Sequence, residues 1–176
     1  MDGLPNNLIR NIPRKGLVQL THIINAIMIL QHFPKQWKHA IISPIPKPNK
    51  DPTKPESYRP ISLLNSLSKL AERALLNRLR DLGFENMVPE EQFGFKRGHS
   101  TTLLVAKVAQ DAINIFNRKE STVLLALDFS KAFDSVWLDG LGYKLSHFHQ
   151  LPPYVVLLLH SYLMGRSFQV RVEYPI

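Results

Sequence analysis

The sequence contains no cysteine. Disulfide scaffolds and thiolate zinc sites are therefore excluded, and the composition is compatible with a reducing compartment. No apolar run approaches the ~18 residues that a membrane-spanning helix needs, and the opening MDGLPNNLIR has no long apolar segment of the secretory type. The chain is expected to be intracellular, in nucleus or cytoplasm, neither secreted nor bound to a membrane. There is no internal repeat and no low-complexity tract. The seven histidines are scattered, and the closest two, His147 and His149, match no zinc spacing. Acid is in short supply. Lys plus Arg outnumber Asp plus Glu by 22 to 14, a net charge of +8, which favours an anionic partner, most simply nucleic acid. No Asp-Asp pair occurs anywhere, and after Asp134 the only acids are Asp139 and Glu173.

What is present is organised around Thr122 to Trp137, TVLLALDFSKAFDSVW. Val123 to Leu127 is an unbroken apolar run of five that stops at Asp128. So short a run without alternation suits a strand buried on both faces. A charge at its end is costly if dry and unpaired, so Asp128 is expected at the open edge of a sheet, meeting water, a metal or a ligand. The competing reading is a carboxylate that caps the following turn.

The remaining elements follow from periodicity and punctuation. Met1 to Pro13 reads as a linker or the tail of an upstream region. Leu17, Leu20, Ile24 and Ile27 recur at helical spacing as far as Leu30, and Pro34 closes that element. Ala40 to Ile45 reads as a strand that Pro44 and Pro46 relegate to an edge. Pro46 to Tyr58 is a stiff, basic loop: between Lys35 and Arg59 six cations face two acids. Ser66 to Leu82 is the clearest helix, with Asn65 or Ser66 as N-cap and Gly83 as its stop. Pro89 to His99 is a loop. Its Gly94-Phe-Lys-Arg-Gly98 is no P-loop, because three residues intervene and His99 follows. Ser100 or Thr101 caps a helix to about Asn117 with Leu104, Val105, Val108, Ala112 and Phe116 on its apolar side. Leu141 to His149 reads as an ambiguous short helix, Pro152 and Pro153 suit the opening of another running to Met164, and Gly165 ends it. Ser167 to Val172 alternates, with Phe168, Val170 and Val172 on one face of a half-buried strand.

Asp128-Phe-Ser-Lys-Ala-Phe-Asp134 resembles the first catalytic motif of reverse transcriptases, in the form used by jockey- and LINE-type non-LTR retrotransposons. Tyr58-Arg-Pro-Ile-Ser-Leu63, Gln92-Phe-Gly-Phe95 with Gly98-His-Ser-Thr101, and Ser161-Tyr-Leu163 with Arg166 and Gln169-Val170 resemble the same family's other blocks in the same order. The resemblance implies an α+β polymerase-type fold, mostly helical with a small antiparallel sheet: a linker over 1–14, fingers over 15–121 and an incomplete palm over 122–176. It implies RNA template, DNA primer and deoxynucleoside triphosphates as partners, and a two-ion Mg2+ site as cofactor. Asp128 would be the catalytic carboxylate and a metal ligand, with the carbonyl of Phe129 beside it. Lys47 and Arg59 would hold the triphosphate, with Lys50 a close competitor for Lys47. Phe133 would lie beneath the sugar and exclude a ribose 2′-hydroxyl, unless it is simply a core aromatic. Gln92, Lys96, Arg97 and Gly98 would face the template, or else form a turn with solvated cations. Asp134 would order its turn rather than bind metal.

Two magnesium ions need more than one carboxylate. The family's Gly-x-Pro-Gln-Gly loop and aromatic-Ala-Asp-Asp hairpin do not occur here. The expectation is an N-terminal fragment that lacks the rest of the palm and the thumb, is inactive alone, and exposes apolar surface where further palm strands would pair. The alternatives are a non-catalytic nucleic-acid-binding remnant of a decayed element and an unrelated magnesium phosphotransferase. Haloacid-dehalogenase-like enzymes of the last kind want an aspartate at the position of Ser130.

Overall fold

A computed structural model describes residues 6–171. They divide into two units, one built from the described parts of Met1–Leu79 and Leu138–Ile176, the other from Arg80–Trp137. The first unit holds α1 (Asn6–Arg10), α2 (Arg14–Leu30), β1 (His39–Pro46), β2 (Tyr58–Leu63), most of α3 (Ser66–Asp81), α5 (Leu138–His147), α6 (Pro153–Leu163) and β3 (Ser167–Val170); α4 (Thr101–Asn117) belongs to the second. The fold is mostly helical with one small three-stranded sheet. No helix among the described residues is long and apolar enough to cross a membrane. The expected linker is partly structured, since Asn6–Arg10 is a short helix.

Helix α2 stops at Leu30, where its apolar periodicity ends, ahead of Pro34. Gln31 takes a left-handed conformation, φ 52°, and its N–H bonds the carbonyl of Ile27. This tight exit turns Phe33 inward, where its N–H donates to Ser161 Oγ at 2.9 Å. Phe33, 1% exposed, meets Trp37 and Tyr162 edge-on at 6.1 and 5.0 Å. Ile27, Ala71, Leu75 and Leu158 complete this core, so α2, α3 and α6 are joined through their apolar stripes. The fully buried Ser68 hydroxyl donates to the carbonyl of Trp37 at 3.1 Å and so ties α3 to the segment entering β1. Burial raises the pKa of Tyr162, assisted by nearby Glu72. Burial likewise lowers that of Lys38, with the positive charge of Arg166 a second cause.

Asn65 is the N-cap of α3: its Oδ1 accepts the N–H of Leu67 at 2.8 Å. Gly83 ends the helix region at φ +76°, a conformation that disfavours any Cβ-bearing residue. Asn65→Ala is expected to lower stability by about 1 kcal/mol, read as a shift in urea midpoint at unchanged slope; an unshifted midpoint would contradict the cap.

The sheet order is β2-β1-β3, so the strand expected at an edge is central. The register explains how it tolerates proline. Beyond the strands, the N–H of Lys47 bonds the carbonyl of Ser57 at 2.8 Å. Stepping back along the antiparallel ladder, Ile45↔Arg59 is again a hydrogen-bonding pair, whereas Pro46↔Tyr58 and Pro44↔Pro60 fall on the alternate, non-bonding positions. No ladder bond to β2 requires the missing proline N–H groups. On its other edge β1 pairs in parallel with β3 only from His39 to Ile42, short of Pro44. The sheet is thus mixed, an antiparallel pair plus one parallel strand. Strand β3 forms where alternation placed it, but its side chains are exposed rather than half-buried; Val172 lies outside the described residues.

The second unit departs most from expectation. Residues 121–129 belong to no strand. Val123, Leu124, Leu125 and Leu127 are 76–92% exposed. A strand buried on both faces needs ladder partners at both edges, and among the described residues none pairs with this run. Helix α4 starts as read, Ser100 Oγ accepting the N–H of Leu103 at 3.2 Å. None of its residues is buried.

Candidate functional site

The β1–β2 hairpin carries the proposed phosphate cations. Continuing its register through Lys47 and Ser57 sets Lys47 and Arg59 on one face as diagonal neighbours, a relation worth roughly 7–8 Å. Lys47 Nζ donates to the carbonyl of Glu56 at 2.6 Å, which closes the neck of the loop. The loop beyond is internally fastened: Asp51 Oδ1 accepts from the N–H and Oγ1 of Thr53 at 3.0 and 2.7 Å, and Tyr58 Oη donates to the carbonyl of Pro52 at 2.9 Å. The Thr53 backbone bond, then its hydroxyl, holds the Asp51 carboxyl below its ordinary pKa. Arg59, Lys50 and Lys54 point into solvent, and no hydrogen bond or ion pair occupies the Arg59 guanidinium among the described residues.

Asp128 and the loop residues belong to the second unit. The Asp128 side chain is exposed, and among the described residues no cation or donor reaches its carboxylate. The turn after it rests on backbone bonds, the N–H groups of Asp134 and Ser135 bonding the carbonyl of Lys131 at 2.9 and 3.1 Å with Lys131 at φ 53°, and the Ser135 hydroxyl adds a bond to the carbonyl of Ala132 at 3.3 Å. Asp134 therefore orders the turn through its main chain, not its carboxylate. Phe129 is 77% and Phe133 81% exposed, so Phe133 is no core aromatic. The Phe133 ring meets Phe95 at 6.1 Å and 83°, which brings the Asp128 motif and the Gln92–Gly98 segment together.

In that segment Lys96 Nζ donates to the carbonyl of Pro89 at 3.0 Å and latches the loop from behind. Gln92 is exposed, and its side-chain amide donates to the carbonyl of Gly94 at 3.0 Å. The Arg97 guanidinium is exposed with no partner among the described residues, while its carbonyl lies 3.1 Å from His99 Nδ1. Gly98 sits at φ +76° with nothing within 4 Å of where a Cβ would be, leaving room for close approach to the backbone. The loop thus separates its cations: the Lys96 ammonium is bonded to the Pro89 carbonyl, and the Arg97 guanidinium has no partner among the described residues.

The Asp128 carboxylate and Phe129 carbonyl are hard oxygens of the kind magnesium takes. They are too few. No group of three or more His, Asp or Glu side chains that could hold a metal ion occurs among the described residues. These residues do not hold the ion by themselves.

Residues 45–175 match the reverse transcriptase (RNA-dependent DNA polymerase) family. The chain belongs to that family. Within it, this reverse transcriptase segment is 45% identical over 174 residues to the probable RNA-directed DNA polymerase from transposon BS of Drosophila melanogaster. It is 42% identical over 171 residues to that from transposon X-element and 41% identical over 175 residues to the RNA-directed DNA polymerase from mobile element jockey, both of the same species. These alignments take in 97–98% of the chain but 19% of each relative, so the chain spans about a fifth of the length of the relatives it matches. It is thus related to jockey-type non-LTR reverse transcriptases.

The ring of Phe95 is a feature that sequence reading passed over. The residue lies in the Gln92–Phe95 motif, flanked by Gly94 and Lys96-Arg97-Gly98, but an apolar letter in a loop gives no sign of whether it is buried.

Proposed function

We propose that this chain supplies the fingers and the first part of the palm of an RNA-directed DNA polymerase of a retrotransposon, working inside the cell on an RNA template, a DNA primer and deoxynucleoside triphosphates. The observation that carries the reading is the Asp128 motif: a free, exposed carboxylate five residues before an exposed aromatic ring that touches the Gln92–Gly98 loop. Asp128 and the Phe129 carbonyl would contribute two oxygens to a divalent-ion site, with further carboxylates from elsewhere in a protein of the relatives' length. The ion's contribution would be to stabilise charge on the attacking and leaving oxygens of nucleotidyl transfer. Arg59 offers a planar fork for a triphosphate, and Lys47 a point charge beside it. Phe133 would lie under the sugar, where a ring leaves no room for a 2′-hydroxyl. Gln92, Lys96 and Gly98 shape the template loop, and Arg97 meets a phosphate.

The function is tested by primer extension in a protein of the relatives' length that contains this chain. Templated incorporation of deoxynucleotides, with ribonucleotides admitted by Phe133→Ala, is the expected result. A second reading, binding without catalysis, is favoured by the single carboxylate and the net charge of +8. It predicts RNA binding with no incorporation at full length.

Both readings expect RNA affinity of the chain to fall steeply between ~50 and 200 mM salt. Arg97→Ala should reduce the slope of log K against log salt by about one, as removal of one phosphate contact does. Lys96→Ala should instead loosen the loop and lower thermal stability. A slope unchanged in Arg97→Ala would remove that residue from the interface.

A further inference from the structure

Phe95 is the most exposed large apolar side chain among the described residues, at 99%. Its backbone lies at φ 59°, in the left-handed region that aromatic residues seldom occupy. Strain of this kind persists where surrounding structure over-determines it, and it gathers at ligand-holding positions. Here the restraint is visible: Lys96, the next residue, is pinned to the carbonyl of Pro89 at 3.0 Å. The pin holds the loop while Phe95 projects from it. Its contact with Phe133 is edge-to-face, 6.1 Å and 83°, and at these exposures ring faces remain open to solvent. Two residues on, the Arg97 guanidinium is exposed and unpaired among the described residues, and Gly98 leaves space beside the backbone. The acids of the segment, Glu90 and Glu91, line an open depression with Phe93, Lys96, His99 and Lys107, of which Phe95 is not part.

A flat apolar face two residues from a free guanidinium matches the two halves of a nucleotide, a base with a π-face and a phosphate. We propose that Phe95 is a base-stacking residue for single-stranded nucleic acid: a base lies against its ring while Arg97 holds an adjacent phosphate. This deepens, and rests on, the reading that the Gln92–Gly98 loop faces the template. Stacking of this kind is tolerant of sequence, because every base has a face to offer, which suits a surface that must pass any template. It also gives the Phe95–Phe133 contact a consequence, since the stacked base is placed beside the ring proposed to lie under the incoming sugar.

The test uses the whole 176-residue chain and a labelled single strand of about 12 nucleotides, as RNA and as DNA of the same sequence, with an RNA duplex as control. Anisotropy titration is expected to show single-strand affinity reduced about 5- to 100-fold in Phe95→Ala, with duplex affinity unchanged. The melting temperature should be unaltered, because the ring contributes almost no burial. Phe95→Trp should keep the affinity, and the added indole emission, measured against wild type to remove Trp37 and Trp137, should be quenched on binding. Equal loss on RNA and DNA is expected of stacking; loss on RNA alone would overturn it in favour of a 2′-hydroxyl contact. Wild-type affinity in Phe95→Ala, or an unquenched indole, overturns the proposal. If Arg97→Ala weakens binding and Phe95→Ala does not, the template reading stands and stacking fails. If the wild-type chain does not bind the single strand, both fall together.

Discussion

Replacing Asp128 with asparagine in a polymerase of the relatives' length is expected to depress primer extension by at least about a thousand-fold. Loss of an anionic oxygen that grips a divalent cation forfeits several kcal/mol of transition-state stabilisation, and each ~1.4 kcal/mol is a factor of ten. The same change should leave the folding of this chain untouched. The Asp128 side chain is exposed and has no partner among the described residues, and surface substitutions of that kind stay within about 0.5 kcal/mol. RNA affinity should be unchanged or slightly higher, because a negative charge has left the neighbourhood of the phosphates. The separation of activity from stability and binding is the informative part. A structural carboxylate would show the opposite pattern, with stability lost first. Extension at near wild-type rate by Asp128→Asn would end the catalytic assignment. The 176-residue chain alone is expected to extend no primer, since one carboxylate cannot fix two ions.

Residue chemistry was legible where a local rule decides the outcome. Asn65, Gly83, Ser100 and Pro153 mark helix ends, and all four do so in the structure. Of the stripe formed by Leu67, Leu70, Ala71, Ala74, Leu75, Leu79 and Leu82 on and just after α3, Ala71, Leu75 and Leu79 are buried and the other four half-buried. Pro44 misled because proline counts against a central strand only where its N–H would join a ladder. That depends on register, which is set by the partner strand. Val123 to Leu127 misled for a related reason: an apolar run states what a segment can bury, not whether a partner is at hand. The same holds for α4, whose apolar side exists but is exposed. At the site, motif spelling pointed to Asp128, Arg59 and Arg97, which are free and exposed. It could not show that Lys47 and Lys96 spend their ammonium groups on the carbonyls of Glu56 and Pro89. Every residue carries a carbonyl, so its use as a partner leaves no trace in the letters.

The largest expected loss of stability comes from Phe33→Ala. The ring is 1% exposed and meets Trp37 and Tyr162 edge-on. Burying a Phe and then deleting it costs about 3–5 kcal/mol through lost transfer energy and the cavity left behind. Two aromatic pairs, at ~0.5–1.5 kcal/mol each, place this site toward the upper end. Against a typical stability of 5–15 kcal/mol, the first unit should melt roughly 10–20 °C lower, seen by circular dichroism and by a reduced urea midpoint. The comparison that gives this meaning is Leu125→Asp. Leu125 is equally apolar but 77% exposed, so in this chain the substitution should change stability by less than about 0.5 kcal/mol. Should Leu125→Asp unfold the chain as readily as Phe33→Ala, the run before Asp128 is buried in solution and its description as unpartnered is wrong. The difference reaches function through β1. Trp37 lies at the entry to that strand and accepts the Ser68 hydroxyl through its carbonyl, and the strand leads into the hairpin that presents Lys47 and Arg59. Phe33→Ala should therefore weaken nucleotide binding only as the first unit unfolds, with both losses following the same denaturant curve, whereas Arg59→Ala should weaken nucleotide binding at every denaturant concentration below the transition.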